Sequence, residues 1–295
     1  RRRHGGLALT SGFVVQMPVA SAGWSSVRQA PSKAVRSDSA AFRARLAELN
    51  IDRGDLRTLF TYLNDDSALT RGACVWALGA SDDPVVIDPL VSALLDSDAT
   101  VRQWAARGFA VRRAGDDRAV LPLAMTASDA DAEVRQWGVR TLPGLGGERA
   151  APTIEQRLSD EHPEVRQWAV RALSATHDAI APELMRARMR DPDAEVRQWA
   201  VRVLADLGAE GLGLDLVERL DDEDAEVREW AVRTLGSVGG PTAVPALVER
   251  TTDDDPETRE WAIRGLGAVG HARMETRVTR TCEVHHSTWA RRAIG

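Results

Sequence analysis

The chain has 295 residues, 28% of them charged, and a formal net charge of −6. Residues 64–270 hold 38 acidic and 23 basic residues, a net charge of −15, whereas both ends of the chain are basic. An acidic body argues against general binding to nucleic acid, whose phosphates it would repel. No run of about 18 apolar residues occurs, so the sequence predicts no helix that crosses a membrane.

The first 36 residues are predicted to be a disordered or leader segment. Three arginines precede a mildly apolar stretch that ends in small residues at 20–22, which is the outline of an export signal. Polar residues at 10–12 interrupt that stretch, and Met17 offers another translation start. We therefore expect a cytoplasmic protein, with export as the alternative if residues 1–22 are a signal peptide.

A capping helix is predicted at residues 37–50, with Ser37 or Asp38 as its N-cap. Three apolar residues fall on one face of this helix: Phe42, Leu46 and Leu49. Such a face would cover the first unit of the repeat region that follows, which we assign to residues 51–295.

A ten-residue stretch with a period of 31 residues organises that region. It reads EVRQWAVRAL at 164–173 and EVRQWAVRVL at 195–204. Related copies occur at 100–109, 133–142, 226–235 and 257–266. The register continues forward to Trp289 and back to Ala73, which makes eight units. A fixed period of this size indicates a stacked array.

Each unit has the pattern of two antiparallel helices. In the recurring stretch, apolar residues follow helical spacing, an Asp or Ser precedes them as N-cap, and a Glu follows in the first turn. Gly, as at Gly236 and Gly267, is predicted to end the helix. A shorter apolar segment before each stretch supplies the other helix. The sequence thus predicts an all-α fold, an α-solenoid of about eight two-helix repeats.

An Asp lies six residues before an Arg in seven units. The Asp residues are Asp65, Asp96, Asp129, Asp160, Asp191, Asp222 and Asp253, and the Arg residues are Arg71, Arg102, Arg135, Arg166, Arg197, Arg228 and Arg259. This pattern resembles the HEAT-repeat family, in particular the short HEAT-like repeats named after phycobilisome lyases.

The resemblance implies an Asp/Arg ladder between neighbouring repeats, in which an Arg bridges a carboxylate and loop carbonyls of the next repeat. The ladder is expected to stabilise the stack, so that loss of the Asp160 carboxylate leaves Arg166 without a partner. The resemblance is specific for the fold and not for a function.

No pattern in the sequence predicts a catalytic centre, a cofactor or a metal ion. Asp191 and Asp193 have the spacing of calcium ligands, but neither the central Gly nor the distant Glu of a calcium loop follows. The His-Glu pairs of HEAT-repeat di-iron hydroxylases do not occur, and His285-His286 is only a weak metal signal. No nucleophile–base arrangement and no bilin attachment site stand out. We therefore predict a protein that is not an enzyme and needs no cofactor.

The feature that departs from short HEAT-like repeats is a Trp followed three residues later by an Arg. We name these side chains the Trp–Arg stripe and predict that they bind a partner: Trp104, Arg107, Trp137, Arg140, Trp168, Arg171, Trp199, Arg202, Trp230, Arg233, Trp261 and Arg264, with Trp289 and Arg292 as a seventh pair. On a helical wheel, Trp and Arg are adjacent on the flank between the core and the exposed face. The simpler interpretation is that Trp fills the groove between helices and Arg is solvated.

The stripe favours a non-catalytic scaffold or adaptor that binds a partner protein or an extended acidic peptide along a concave surface. An Arg that stacks on Trp would hold its fork ready for a carboxylate or phosphate. The arrangement is similar to the Trp/Asn arrays with which importin-alpha holds extended basic peptides, with the charge preference reversed. The stripe arginines are expected to matter for binding and little for thermal stability.

Two alternatives remain open, and the sequence leaves the oligomeric state open as well. One is an enzyme or enzyme subunit of the bilin-lyase type. The other is a HEAT-like nucleic-acid-binding protein, since some HEAT-like glycosylases use Trp and Arg on the concave face.

Overall fold

The computed structural model describes residues 33–112, 117–175, 182–208, 211–238 and 240–270. Within these ranges the chain is helical and contains no strand, which confirms the predicted all-α solenoid. A first helix, α1 (Lys33–Glu48), precedes seven two-helix repeats. The predicted eighth repeat and most of the predicted leader segment lie outside the described residues.

Each repeat has a short first helix and a longer second helix. The first helices are α2 (Leu56–Thr61), α4 (Ile87–Ala93), α6 (Asp117–Thr126), α8 (Ala151–Arg157), α10 (Pro182–Arg188), α12 (Gly213–Arg219) and α14 (Val244–Arg250). The second helices are α3 (Ala68–Gly79), α5 (Ala99–Arg112), α7 (Ala132–Gly146), α9 (Pro163–Ser174), α11 (Ala194–Asp206), α13 (Ala225–Val238) and α15 (256–270). Successive second helices pack against one another, so they form one continuous layer.

Helix α1 packs against the second helix of the first repeat. It begins at Lys33, four residues before the predicted Ser37. Phe42 and Leu46 are buried, and Leu49 is half-buried against the same core. The apolar face read from the sequence is therefore the face that contacts the repeats.

The second helices begin at the side chains predicted to cap them. Asp131 accepts hydrogen bonds from two backbone N–H groups of the first turn, and Asp193 accepts one. His162 makes no such bond, and there the first helical residue is Pro163, which has no N–H to satisfy. These caps determine where each second helix starts and hence where its Trp lies in the stack.

The glycines predicted to end the helices do not end them. Gly236 lies inside α13, and Gly267 lies inside α15. A Cβ atom on Gly236 would lie 2.6 Å from the Cα of Gly265, and one on Gly79 would lie 3.0 Å from the Cα of Gly108. The missing side chains let neighbouring second helices approach closely. A close helix contact and a helix C-cap both favour Gly, so the residue type alone does not distinguish them. The prediction that Gly236 and Gly267 end their helices was therefore wrong.

The core repeats with the sequence. The residue five positions after the Trp register is buried in each of six second helices: Leu78, Phe109, Leu142, Leu173, Leu204 and Leu235. The residue directly after the Trp register is small and buried, and at Gly138 even a Cβ would lie 2.5 Å from the backbone nitrogen of Ala127. Each repeat therefore buries its apolar face against its own first helix and its neighbours.

The Asp/Arg ladder joins successive repeats through buried ion pairs. Arg135 donates from Nε and Nη2 to the two carboxylate oxygens of Asp160, both at 2.9 Å. Four more bidentate pairs, at 2.7–2.9 Å, are Arg71–Asp96, Arg102–Asp129, Arg166–Asp191 and Arg197–Asp222. Each of these carboxylates also accepts a backbone N–H two residues further on. The charges are thus paired and hydrogen-bonded, as burial requires.

The ladder differs from the expected geometry in two details. The loop carbonyls belong to the same repeat as the Arg, since Arg135 Nη1 donates to the carbonyl oxygens of Asp129 and the residue after it. Arg166 likewise binds the carbonyl oxygen of Asp160 but the carboxylate of Asp191. Loss of the Asp160 carboxylate therefore leaves Arg135 without its carboxylate, and not Arg166.

We predict that Asp160→Ala lowers the free energy of unfolding by about 1–3 kcal/mol, because it leaves a buried guanidinium group with only the exposed Glu161 carboxylate, at 3.3 Å. Arg135 is only 6% exposed. The matched control is Asp88→Ala, which removes a carboxylate that pairs with Arg118 across two repeats, with both side chains more than half exposed. The control should change the free energy by less than about 0.5 kcal/mol. Urea denaturation followed by circular dichroism measures both, and equal losses would contradict the assignment.

We also predict that the effect of Asp160→Ala depends on pH. Burial alone would raise the pKa of Asp160, but the hydrogen bonds from Arg135 and from the His162 backbone outweigh burial and lower the pKa. A carboxyl group with a lowered pKa contributes stability above its unfolded pKa of about 4, and this contribution is lost as the pH falls through the folded pKa. The difference in unfolding free energy between parent and variant should therefore shrink below about pH 4. A difference that persists undiminished to about pH 2 would refute the prediction.

Candidate functional site

The Trp–Arg stripe lies along the layer of second helices, with one Trp–Arg pair on each second helix from α5 to α15. Trp104 and Trp168 are buried. The other four Trp side chains of the described stripe are half-buried: Trp137, Trp199, Trp230 and Trp261. The predicted pair Trp289/Arg292 lies outside the described residues. The rings therefore contribute to packing between repeats, as the simpler interpretation expected.

The arginines are not merely solvated, because five of the six in the described stripe lie between two Trp rings. The guanidinium carbon of Arg171 lies 4.0 Å from the ring centroid of Trp168 in its own helix and 4.2 Å from that of Trp199 in the next helix. The same double contact is made by Arg107, Arg140, Arg202 and Arg233, at 3.9–4.5 Å. Trp and Arg thus alternate in a column that runs from Trp104 to Arg264.

The column starts differently in the first repeat, where the Trp register holds Ala73. Phe42 of α1 contacts Trp104 edge-on, with 5.5 Å between ring centroids. Trp76 occupies the place of a stripe Arg, three residues after the register, and its ring lies 6.4 Å from Phe42 and under Arg53 at 3.9 Å. Neither Trp76 nor Arg53 was predicted from the sequence. Only the offset of Trp76 from Ala73 could have indicated the first of them.

Five stripe arginines form no ion pair with a carboxylate in the described part of the chain: Arg107, Arg140, Arg171, Arg202 and Arg233. Arg171 is 6% exposed, and its Nε has no hydrogen-bond acceptor there. Burial lowers the pKa of Arg171 to about 10, and the charges of Arg140 and Arg202 act in the same direction. Arg107, with an unpartnered Nη1, has its pKa lowered to about 10 by burial and by the charge of Arg140. Arg171 and Arg107 both stay charged at neutral pH.

A row of Gln–Glu hydrogen bonds accompanies the column and was not predicted. Gln103 donates to Glu133 at 2.6 Å and Gln198 to Glu226 at 2.8 Å, and Gln167 makes the same contact with Glu195. The donor comes from one second helix and the acceptor from the first turn of the next. These Glu residues, assigned from sequence to the helix dipole, also moderate the positive charge of the stripe.

The two ends of the column differ in charge. In α13 and α15 the Gln is replaced by Glu229 and Glu260. Glu229 accepts a hydrogen bond from Trp261 Nε1 at 3.0 Å, and Glu260 forms an ion pair with Arg264. Negative charge therefore accompanies the stripe arginines in α13 and α15, whereas the same position in α5 to α11 holds an uncharged Gln.

A pocket of about 480 Å³ opens beside the start of the column, between α3, α5 and α7. Its wall includes the rings of Trp76, Trp104 and Trp137 and the side chains of Arg107 and Arg140. The remaining wall is formed mostly by small and apolar residues: Gly79, Ala80, Gly108, Phe109, Ala110, Thr141, Gly144 and Leu145. Nothing in the sequence analysis predicted this pocket.

Within the described ranges, no group of three or more His, Cys, Asp or Glu side chains is arranged to hold a metal ion. The paired aspartates considered for calcium, Asp191 and Asp193, serve the ladder and the helix cap. The weak signal at His285-His286 lies outside the described residues. No helix in the described part is long and apolar enough to cross a membrane.

Comparison with known proteins identifies the family. HEAT repeats are recognised in the sequence at residues 26–110, 120–205 and 213–294. The chain is similar in structure to an engineered protein, with 22% identity, a TM-score of 0.56, and coverage of 82% of this chain and 76% of that chain. It is similar to YibA of Escherichia coli, with 20% identity, a TM-score of 0.51, and coverage of 80% and 97%.

A further similar structure is the CpcE–CpcF complex of phycocyanin lyase from Nostoc sp. PCC7120, with 19% identity, a TM-score of 0.47, and coverage of 72% and 94%. A comparison with curated proteins found no match. At these identities the structural likeness concerns the fold alone. Because the recognised repeats cover most of its length, the chain belongs to the HEAT-repeat family.

Proposed function

We propose that this HEAT-repeat protein is a non-catalytic scaffold whose Trp–Arg stripe binds an extended acidic segment of a partner protein. The observation that carries the proposal is the row of five stacked arginines without a carboxylate partner among the described residues. The sixth, Arg264, already has an internal carboxylate in Glu260.

The stacking leaves the arginines suited to bind carboxylates. Indole rings cover the faces of a guanidinium group, whereas its N–H donors point outward in the plane of the group. A bidentate carboxylate needs only that edge. Arg171 is desolvated and has an unpartnered Nε, so an anion that approaches the column would offset an existing electrostatic penalty.

The spacing of the column supports an extended ligand. Arg107 and Arg140 lie 4.4 and 4.5 Å from the centroid of the Trp137 ring between them, so their guanidinium carbons are at most about 9 Å apart. A polyproline II segment advances about 9 Å in three residues and presents every third side chain on one face. An acidic residue at every third position of such a segment would therefore match one Arg per repeat.

The packing of the two helix layers supports an inward-facing stripe. Second helices contact one another closely along the array, whereas contacts between successive described first helices are much sparser, and the most extensive of them is between α4 and α6. A two-layered stack curves toward its more closely spaced layer. The closer spacing of the second helices supports a stripe on the inner, concave side, where a ligand can contact several repeats at once.

The same geometry disfavours stacking of nucleic-acid bases on the Trp rings. Single-stranded nucleic acid binds proteins largely through bases that stack on exposed aromatic faces. Here each ring from Trp137 to Trp261 lies between two guanidinium groups, one from its own helix and one from the preceding helix. We therefore favour a protein partner, and we keep a nucleic acid as an outcome of the test.

We predict that the triple variant Arg140→Gln, Arg171→Gln and Arg202→Gln weakens binding of an acidic peptide at least about tenfold, because it removes three carboxylate sites. The probe is a fluorescein-labelled peptide of five Glu-Ala-Pro units. Fluorescence anisotropy between about 0.05 and 0.3 M salt should show that the variant also loses most of the salt dependence of binding. A peptide of the same composition with all Glu at one end should bind the parent more weakly.

The matched control is the triple variant Arg57→Gln, Arg149→Gln and Arg190→Gln, which makes the same change in net charge at exposed positions. It should bind like the parent. Circular dichroism at the assay temperature verifies that both variants are folded. If the triple stripe variant is unfolded, the single variant Arg140→Gln is used in its place. Equal binding by parent and stripe variant would refute the proposal. Direct binding of labelled oligo(dT) with no binding of the peptide would favour the nucleic-acid alternative.

A further inference from the structure

The pocket of about 480 Å³ beside the first repeats indicates a second chemical feature of the ligand, in addition to its acidic residues. Pockets of about 300–1,000 Å³ are typical of sites that enclose small ligands or side chains. Its wall is mostly apolar, with three Trp rings, yet it includes the first two stripe arginines, Arg107 and Arg140. The pocket and the row of cations therefore adjoin each other, and one ligand segment could contact both.

Gly144 lines the pocket and leaves part of it open because it lacks a side chain. It lies seven residues after Trp137, and a Cβ on it would meet nothing within 4 Å. Asp206 and Ser237 occupy the same register in α11 and α13.

A second observation points to a ligand. Trp104 is 6% exposed and lines the pocket, and its Nε1 donor has no hydrogen-bond acceptor in the described part of the chain. Buried indole N–H groups normally have a partner. Arg107, which also lines the pocket, has an unpartnered Nη1. An apolar group with a backbone carbonyl or carboxylate beside it would supply what the wall lacks.

We infer that the pocket binds a large apolar side chain, such as Leu or Phe, at one end of the acidic segment that the stripe holds. The inference rests on the proposed function and adds to it a fixed starting point for the segment. The acidic residues give the ligand its affinity for the row of arginines, and the apolar residue determines its register along the repeats. Burial of one Leu side chain should strengthen binding about tenfold.

The test uses four versions of the peptide of five Glu-Ala-Pro units. Two carry an added Leu, at the N-terminus or at the C-terminus, and two carry an added Ser at the same positions. For one of the two ends, we expect the Leu peptide to bind the full-length protein about tenfold more tightly than the Ser peptide. The ratio of these two affinities is then measured for Gly144→Leu, whose side chain would occupy the pocket, and should fall to about one. Gly144→Met serves as a second filling variant if the first does not fold.

The matched control is Gly267→Leu, at another helical glycine whose Cβ would meet nothing within 4 Å. It should leave the Leu-to-Ser ratio as in the parent. If the acidic peptides bind but Leu adds nothing at either end, the inference is wrong and the proposed function stands. If Leu strengthens binding equally in the parent and in both Gly144 variants, the apolar group binds elsewhere and the inference is wrong. If no peptide binds the parent, the proposed function fails and the inference fails with it.

Discussion

Two guanidinium groups in each central repeat bridge it to the next, and the regular stack depends on both. In α9, Arg166 reaches the carboxylate of Asp191 in the next repeat and holds loop carbonyls of its own repeat. Arg171, five residues later on another side of the helix, reaches the Trp199 ring. Apolar burial alone is non-directional. The forked and planar geometry of Arg adds a fixed distance and orientation between neighbouring repeats.

The two arginines meet opposite electrostatic conditions. The hydrogen bonds and charge of Asp191 raise the pKa of Arg166 despite its burial, whereas burial lowers the pKa of Arg171. The ladder is therefore internally neutralised, and the column keeps positive charge that lacks a carboxylate within the described structure. In the column, the attraction between guanidinium and indole opposes the penalty of desolvating an unpaired cation. Only if these terms nearly cancel will the stripe arginines contribute little to stability, as the sequence analysis expected.

The departures from expectation share a physical origin. Asp160 forms its ion pair with Arg135 of the preceding repeat, whereas its backbone carbonyl oxygen accepts a hydrogen bond from Arg166 of its own repeat. The glycine at 236 faces another glycine across a helix contact instead of ending its own helix. Both facts depend on where the neighbouring repeat lies, and a pattern read within one repeat does not contain that position.

The periodicity by itself determined the helices, their N-caps, the buried register and the family, because these properties depend on residues close together in the chain. It also placed Trp and Arg side by side on one flank, so the stripe could be predicted to the residue. The tertiary structure decided that five stripe arginines, such as Arg171, lie between rings of two repeats, that Gln167 is bound to Glu195, and that a pocket opens near Gly144. Those features arise from distances between helices about 30 residues apart in sequence, which packing of the whole layer sets and no local pattern encodes.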